Sequence, residues 1–163
     1  MPSKPPDLTT LLARLAASGV DFVLVGGLAA VAQGAPLTTH DVDIVHRRTE
    51  ANVDRLVEFL VSVNARYRGR PDRLPPSRAA LLGPGHNLLM TDLGPLDVLG
   101  AIEGGRDFDD LVGTSTSIEV GGHRVRVLGI QMLTELKRDA TTAKDKLTLA
   151  VLEETLRRLA GGK

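Results

Sequence analysis

Two aspartates one residue apart stand at positions 41 and 43, in the run Thr39-His40-Asp41-Val42-Asp43-Ile44-Val45. On an extended chain residues i and i+2 project to the same face, so both carboxylates point one way while Val42 and Ile44 turn toward a core. Two like charges about 7 Å apart along a strand repel, and a fold that keeps them together has a cation to offset them. Hard oxygen donors of this kind suit Mg²⁺, which takes one or two protein carboxylates and completes its shell with water and substrate phosphates. Asp97, in Gly94-Pro95-Leu96-Asp97-Val98-Leu99, stands in a second predicted strand and offers a third carboxylate. Upstream, Val25-Gly26-Gly27 leads into a short helical run. A helix start presents free N–H groups and a positive dipole end to a phosphate, and glycine lets the backbone approach without a β-carbon in the way. Taken singly, each feature has an ordinary reading as an exposed polar face, a turn or a surface residue. Their order and spacing make the combination far more specific than any one of its parts.

The elements that must position these groups follow from periodicity and punctuation. Asp7 caps a helix with Leu8, Leu11, Leu12 and Leu15 on one face, and Gly19 ends it. Residues 20–25 read as a buried strand, broken by Gly26-Gly27, with a short helix over 28–34. Residues 41–45 form a second strand, and Thr49-Glu50 open a helix to about Asn64. The stretch 65–78 carries Arg66, Arg68, Arg70, Arg73 and Arg78 among prolines and reads as a basic loop, solvated or forming a track for an RNA or nucleotide. Residues 86–92 and 95–102 read as paired strands, and 116–120 and 124–128 as a hairpin about Gly121-Gly122. Helices over 130–140 and 144–159 close the chain. The expected architecture is one α/β domain over residues 1–163.

Composition narrows the functional classes. Hydrophobic residues make up 42% and charged residues 25%, the balance of a globular chain. Aromatics are only 2%, too few for a platform of stacked bases, and formal net charge is zero, so no bulk field draws the protein to nucleic acid or an acidic membrane. Cysteine is absent, which removes disulfides and thiolate metal sites. Met1–Pro6 lacks the apolar core of a signal peptide and no run approaches ~18 apolar residues, so the expected location is cytoplasmic, without a membrane partner. His40, His46, His86 and His123 show no ligand spacing and read as surface or packing residues. Neither a Ser-His-Asp order nor a Walker loop is present.

The pattern resembles the nucleotidyltransferase superfamily of the DNA polymerase β type, marked by a hydrophobic-Gly-Gly/Ser element followed by Asp-hydrophobic-Asp/Glu-hydrophobic. Val25-Gly26-Gly27 and Asp41-Val42-Asp43-Ile44 match, and Asp97 matches the third carboxylate. Within that superfamily the chain is similar to small bacterial AbiEii-like and MenT-like members, through Thr39 ahead of the aspartates and through Lys137 followed by Lys144-Asp145. The resemblance implies a small mixed sheet flanked by helices. It implies two Mg²⁺ ions on Asp41, Asp43 and Asp97, with Asp97 on the nucleophile side. Gly26, Gly27, Thr39, Lys137, Lys144 and Asp145 would hold the nucleotide, ATP or another NTP. A nucleoside monophosphate would pass to an acceptor hydroxyl: on tRNA, in the manner of toxin–antitoxin systems with a cognate partner, on a partner protein, or on a small molecule such as an antibiotic. The rival implication is a non-catalytic, antitoxin-like regulatory module that keeps the fold. Three positions depart from the pattern: Gly27 where Ser is frequent, and Leu37 and Thr142 where Arg is frequent. Loops such as 65–85 would then set acceptor specificity, and Asp92 is the nearest substitute should Asp97 prove structural.

Overall fold

A computed structural model describes residues 5–139 and 141–161. The first helix, α1 (Leu8–Ala17), starts where Asp7 accepts from the Thr10 backbone N–H at 3.1 Å, and it buries Leu11, Leu12 and Leu15. Strand β1 (Phe22–Val25) is buried along its whole length and passes straight into α2 (Gly26–Ala32). Gly26-Gly27 therefore form the first turn of that helix, where the sequence reading puts a break before Leu28. Strand β2 (Val42–His46) follows, then α3 (Glu50–Ser62), capped by Thr49. The remaining elements are β3 (Arg66–Tyr67), α4 (Arg78–Leu82), β4 (His86–Thr91), β5 (Gly94–Leu99), α5 (Phe108–Val112), β6 (Ser115–Val120), β7 (His123–Leu128), α6 (Ile130–Lys137) and α7 (Ala143–Gly161).

The seven strands form one mixed sheet in the order β3-β4-β5-β2-β1-β7-β6. Strand β2 sits near its middle, antiparallel to β1 and parallel to β5. The register pairs Val42 with Leu96, Asp43 with Asp97 and Ile44 with Val98. Because paired residues share a face, Val42, Ile44, Leu96 and Val98 enter the core together with Leu11, Leu15, Leu56 and Leu89. Asp43 and Asp97 then share the opposite face. Strand β4 alternates between exposed and buried positions, leaving Leu88 and Met90 on the less covered side. The hairpin β6–β7 turns through Gly121 (φ 59°) and Gly122 (φ 82°), both left-handed, as a two-residue turn of this kind requires.

The stretch 65–78 corrects the sequence reading. It is not a continuous loop: Arg66 and Tyr67 pair with Met90 and Leu89 as the edge strand β3, and Ser77 caps α4 at Arg78. A two-residue strand is too short to show alternation in sequence. Helix α5 also carries no periodic signal; it is set by Asp107 and Asp110, which form a reciprocal capping box. The expected helix over 130–140 ends at Lys137, and Ala140 lies outside the described residues. No helix among the described residues is long and apolar enough to cross a membrane.

Candidate active site

Asp43 is held in the sheet from both sides. Its strand lies between β1, where Val25 is its partner, and β5, where Asp97 is. Asp41 stands in a bend just before β2, and the three carboxylates offer oxygens that all lie within 4.8 Å of one another. Burial pushes the Asp43 carboxyl up to about 8, and the charges of Asp41 and Asp97 push the same way. Asp41 is raised as well, first by burial and then by Asp97. One oxygen of Asp43, Oδ1, is buried without a hydrogen-bond partner among the described residues. A buried carboxylate oxygen with no donor, facing two more carboxylates, is the arrangement a divalent cation relieves. All-oxygen donors fit a hard ion such as Mg²⁺.

Gly26 explains how Asp43 fits. Its φ of +71° is left-handed, and a β-carbon there would run into Asp43 Oδ2. The space this glycine clears is taken by Asp43's own carboxylate, whereas the sequence reading gives it to a phosphate. Gly27 is packed under Thr39: a β-carbon would stand 3.1 Å from Thr39 Oγ1, and that hydroxyl donates to the Asp41 carbonyl at 3.3 Å. With seven residues and no side-chain cap, α2 presents free N–H groups more than a strong dipole.

Gly26, Gly27, Thr39, Asp41 and Asp43 line a cavity of about 310 Å³ whose other wall carries Lys137, Lys144 and Asp145. Gln33 holds the two walls in register: its side-chain amide donates to Leu128 O at 2.8 Å and accepts from the Ile130 N–H at 3.0 Å, tying α2 to the start of α6. Lys137 Nζ pairs with Asp145 Oδ1 at 3.3 Å, and hydrogen bonds from Lys137 and Thr142 hold the Asp145 carboxyl below its usual range. Lys144 has no carboxylate partner among the described residues. Leu37 lines the cavity as an apolar wall, and Thr142 accepts from the Asp145 N–H at 3.1 Å to start α7.

Asp97, on the same sheet face as Asp43, also meets a residue whose role has no signal in the sequence. Arg68 donates to Asp97 Oδ1 at 2.7 Å and to the Leu89 carbonyl at 2.8 Å. Its backbone N–H bonds to Leu88 O at 2.9 Å, and Leu88 is the ladder partner of Asp97. Among five arginines in thirteen residues nothing local marks Arg68; only the strand register selects it. Arg68 also lines a second cavity of about 540 Å³ with Arg66, Tyr67, Arg70, Arg73, Met90 and Asp92. Asp92 itself lies in the β4–β5 turn, beyond the last ladder pair Thr91–Gly94, and accepts from Asn64 at 3.5 Å. It stays outside the carboxylate cluster. His46 is fully buried with Nε2 2.6 Å from Leu81 O, a packing role; His40, His86 and His123 are exposed.

The sequence model of the aminoglycoside-2''-adenylyltransferase family matches residues 7–136, a span that contains Asp41, Asp43 and Asp97 and stops before Lys137. No curated protein sequence matches. Among solved structures, the chain is similar to an antigenic nucleotidyltransferase-like protein of Paracoccidioides brasiliensis (TM-score 0.59, 17% identity, 96% of this chain and 78% of that one). It is also similar to LnuA, a lincosamide antibiotic adenylyltransferase with lincomycin bound (0.58, 12%, 90% and 94%). The antibiotic-resistance factor ANT(2'')-Ia is a third (0.57, 16%, 91% and 83%). At these identities the likeness is one of fold: a mixed sheet flanked by helices.

Proposed function

The chain belongs to the aminoglycoside-2''-adenylyltransferase family and is a nucleotidyltransferase; from that premise we propose that it moves a nucleoside monophosphate from ATP or another NTP to the hydroxyl of a small acceptor, with Mg²⁺ at Asp41, Asp43 and Asp97. The observation that carries this reading is the buried Asp43 Oδ1, without a partner among the described residues, inside a cluster of three carboxylates of which Asp41 and Asp43 line a cavity. Bound there, the metal would neutralise phosphate charge and make an acceptor hydroxyl a better nucleophile. The NTP occupies the cavity between α2 and the closing helices, where the free ammonium of Lys144 meets its phosphates and Lys137 exchanges Asp145 for them. The acceptor enters by the arginine-lined cavity. Its oxygen bonds to the α-phosphorus as the bond to the β-phosphate oxygen breaks; pyrophosphate leaves, and the hydroxyl proton passes to Asp97. Thr39 holds Asp41 in place through its carbonyl, and Gly26 keeps room for Asp43.

The family name and two of the structural neighbours concern antibiotics, which favours a small-molecule acceptor over tRNA or a toxin–antitoxin role. The intact carboxylates disfavour a non-catalytic module. Thermal unfolding tests the site directly. Mg²⁺ with a non-hydrolysable ATP analogue should raise the Tm of the wild type, and Asp43→Asn should lose that rise. A wild-type Tm indifferent to both ligands rules the reading out.

A further inference from the structure

The second cavity has a charge pattern that its family name does not anticipate. Four arginines line it, Arg66, Arg68, Arg70 and Arg73, against one acidic residue, Asp92. Arg68 is engaged with Asp97. The other three have no carboxylate partner among the described residues: Arg66 donates to the Asn64 side-chain oxygen at 3.0 Å, and Arg70 lies over the Tyr67 ring at 5.1 Å from its centroid. The formal net charge of the whole chain is zero, so this is a local concentration of charge rather than a general one. Met90, 42% exposed, adds an apolar side chain to the lining.

Resting on the nucleotidyl-transfer reading, we propose that the acceptor is a small hydroxyl compound carrying a phosphate or carboxylate, and not a polycationic aminoglycoside. Guanidinium forks match the geometry of both anions and form their strongest hydrogen bonds with them. An aminoglycoside, with several ammonium groups at neutral pH, would bring like charge against three unpaired arginines. Arg68 places the site next to the chemistry: its guanidinium holds Asp97, and the residue is also part of the cavity's lining. An anion bound to the arginines therefore sets its neighbouring hydroxyl toward the carboxylate that receives the proton. A small compound is favoured over RNA because the cavity has a single aromatic residue, Tyr67, and Arg70 already lies over one face of its ring.

Tyr67 also supplies the probe, since the chain has one tyrosine and no tryptophan and its emission reports from the wall of this cavity. The intact protein is titrated with glycerol 3-phosphate, glycerate, glycerol and kanamycin, with calorimetry as a second measure of affinity because removing Arg70 alters the emission itself. Glycerol 3-phosphate or glycerate should bind saturably and glycerol should not, while kanamycin should bind at least about tenfold more weakly than the better anion. Arg70→Ala combined with Arg73→Ala should weaken anion binding about tenfold or more and leave the Tm rise with Mg²⁺ and the ATP analogue intact. Kanamycin binding as tightly as the anions, or unchanged anion affinity in the double variant, overturns the proposal. A labelled oligoribonucleotide with a free 3'-hydroxyl that binds more tightly than the small anions through the same arginines overturns the small-compound assignment. Anion binding without any Mg²⁺–nucleotide effect would retain this site and sink the nucleotidyl-transfer reading; the reverse result sinks this proposal alone.

Discussion

The cavity lined by Asp41 and Asp43 and the arginine-lined cavity that includes Arg68, the partner of Asp97, differ in how their charges are balanced. In the one between α2 and α7, Lys137 faces Asp145, and Lys144 stands across from Asp41 and Asp43. In the one beside β3, four arginines and a single carboxylate residue, Asp92, share the lining. A cavity with both signs suits a ligand that has both signs itself, such as a triphosphate carrying a metal. A cavity of one sign suits a ligand of the other, and its like charges repel until that ligand arrives. Asp41 and Asp43 line the first cavity, and Asp97 is tied by Arg68 to the second. The cluster thus joins two sites of unlike chemistry, and each can be perturbed separately.

The widest separation is expected from Asp97→Ala. Nucleotide binding should stay within a few-fold of wild type, while single-turnover transfer falls by ~10²-fold or more, because the hydroxyl loses its proton acceptor. Both quantities are read on one preparation; transfer at the wild-type rate would remove Asp97 from catalysis. A smaller effect of opposite sign on the metal is expected from Arg68→Met. Without the guanidinium competing for Asp97, Mg²⁺ should bind about three- to tenfold more tightly, while acceptor-dependent transfer drops about tenfold. Weaker Mg²⁺ binding in that variant would make Arg68 part of the metal site's support and blur the division between the cavities.

The smallest effect is on stability. Folded Asp43 keeps its proton up to about 8, whereas the unfolded chain releases it near the ordinary value of 3.8. Between those limits the native state binds more protons, so this group makes metal-free protein less stable as pH rises from about 4 to 8. In chelator, wild type and Asp43→Asn should have similar Tm near pH 5, and wild type should fall below the variant toward pH 8. Excess Mg²⁺ should close the gap by taking the proton's place. A gap that does not change with pH would mean that the Asp43 carboxyl is not held protonated by its surroundings.

Local spacing alone was enough to put Asp41 and Asp43 near each other, although the expected strand over 41–45 begins at Val42 and Asp41 stands in the bend before it. It was also enough for α1, read from Asp7 and its leucines, and for the hairpin at Gly121-Gly122, where adjacent glycines allow the left-handed turn. Lys144 and Asp145 were legible as a pair on one helix, although which of the two lysines stays free was not. What the tertiary structure decided is everything that depends on strand register. Asp97 meets Asp43 only because β5 pairs in parallel with β2 across more than fifty residues. Arg68 meets Asp97 only because a two-residue strand sets it beside Leu88. Gly26 proved to make room for a side chain seventeen residues away, which no inspection of the glycine itself reveals. The physical reason is common to all three: backbone periodicity orients neighbours along the chain, but the charge a carboxylate meets is set by which strands lie side by side.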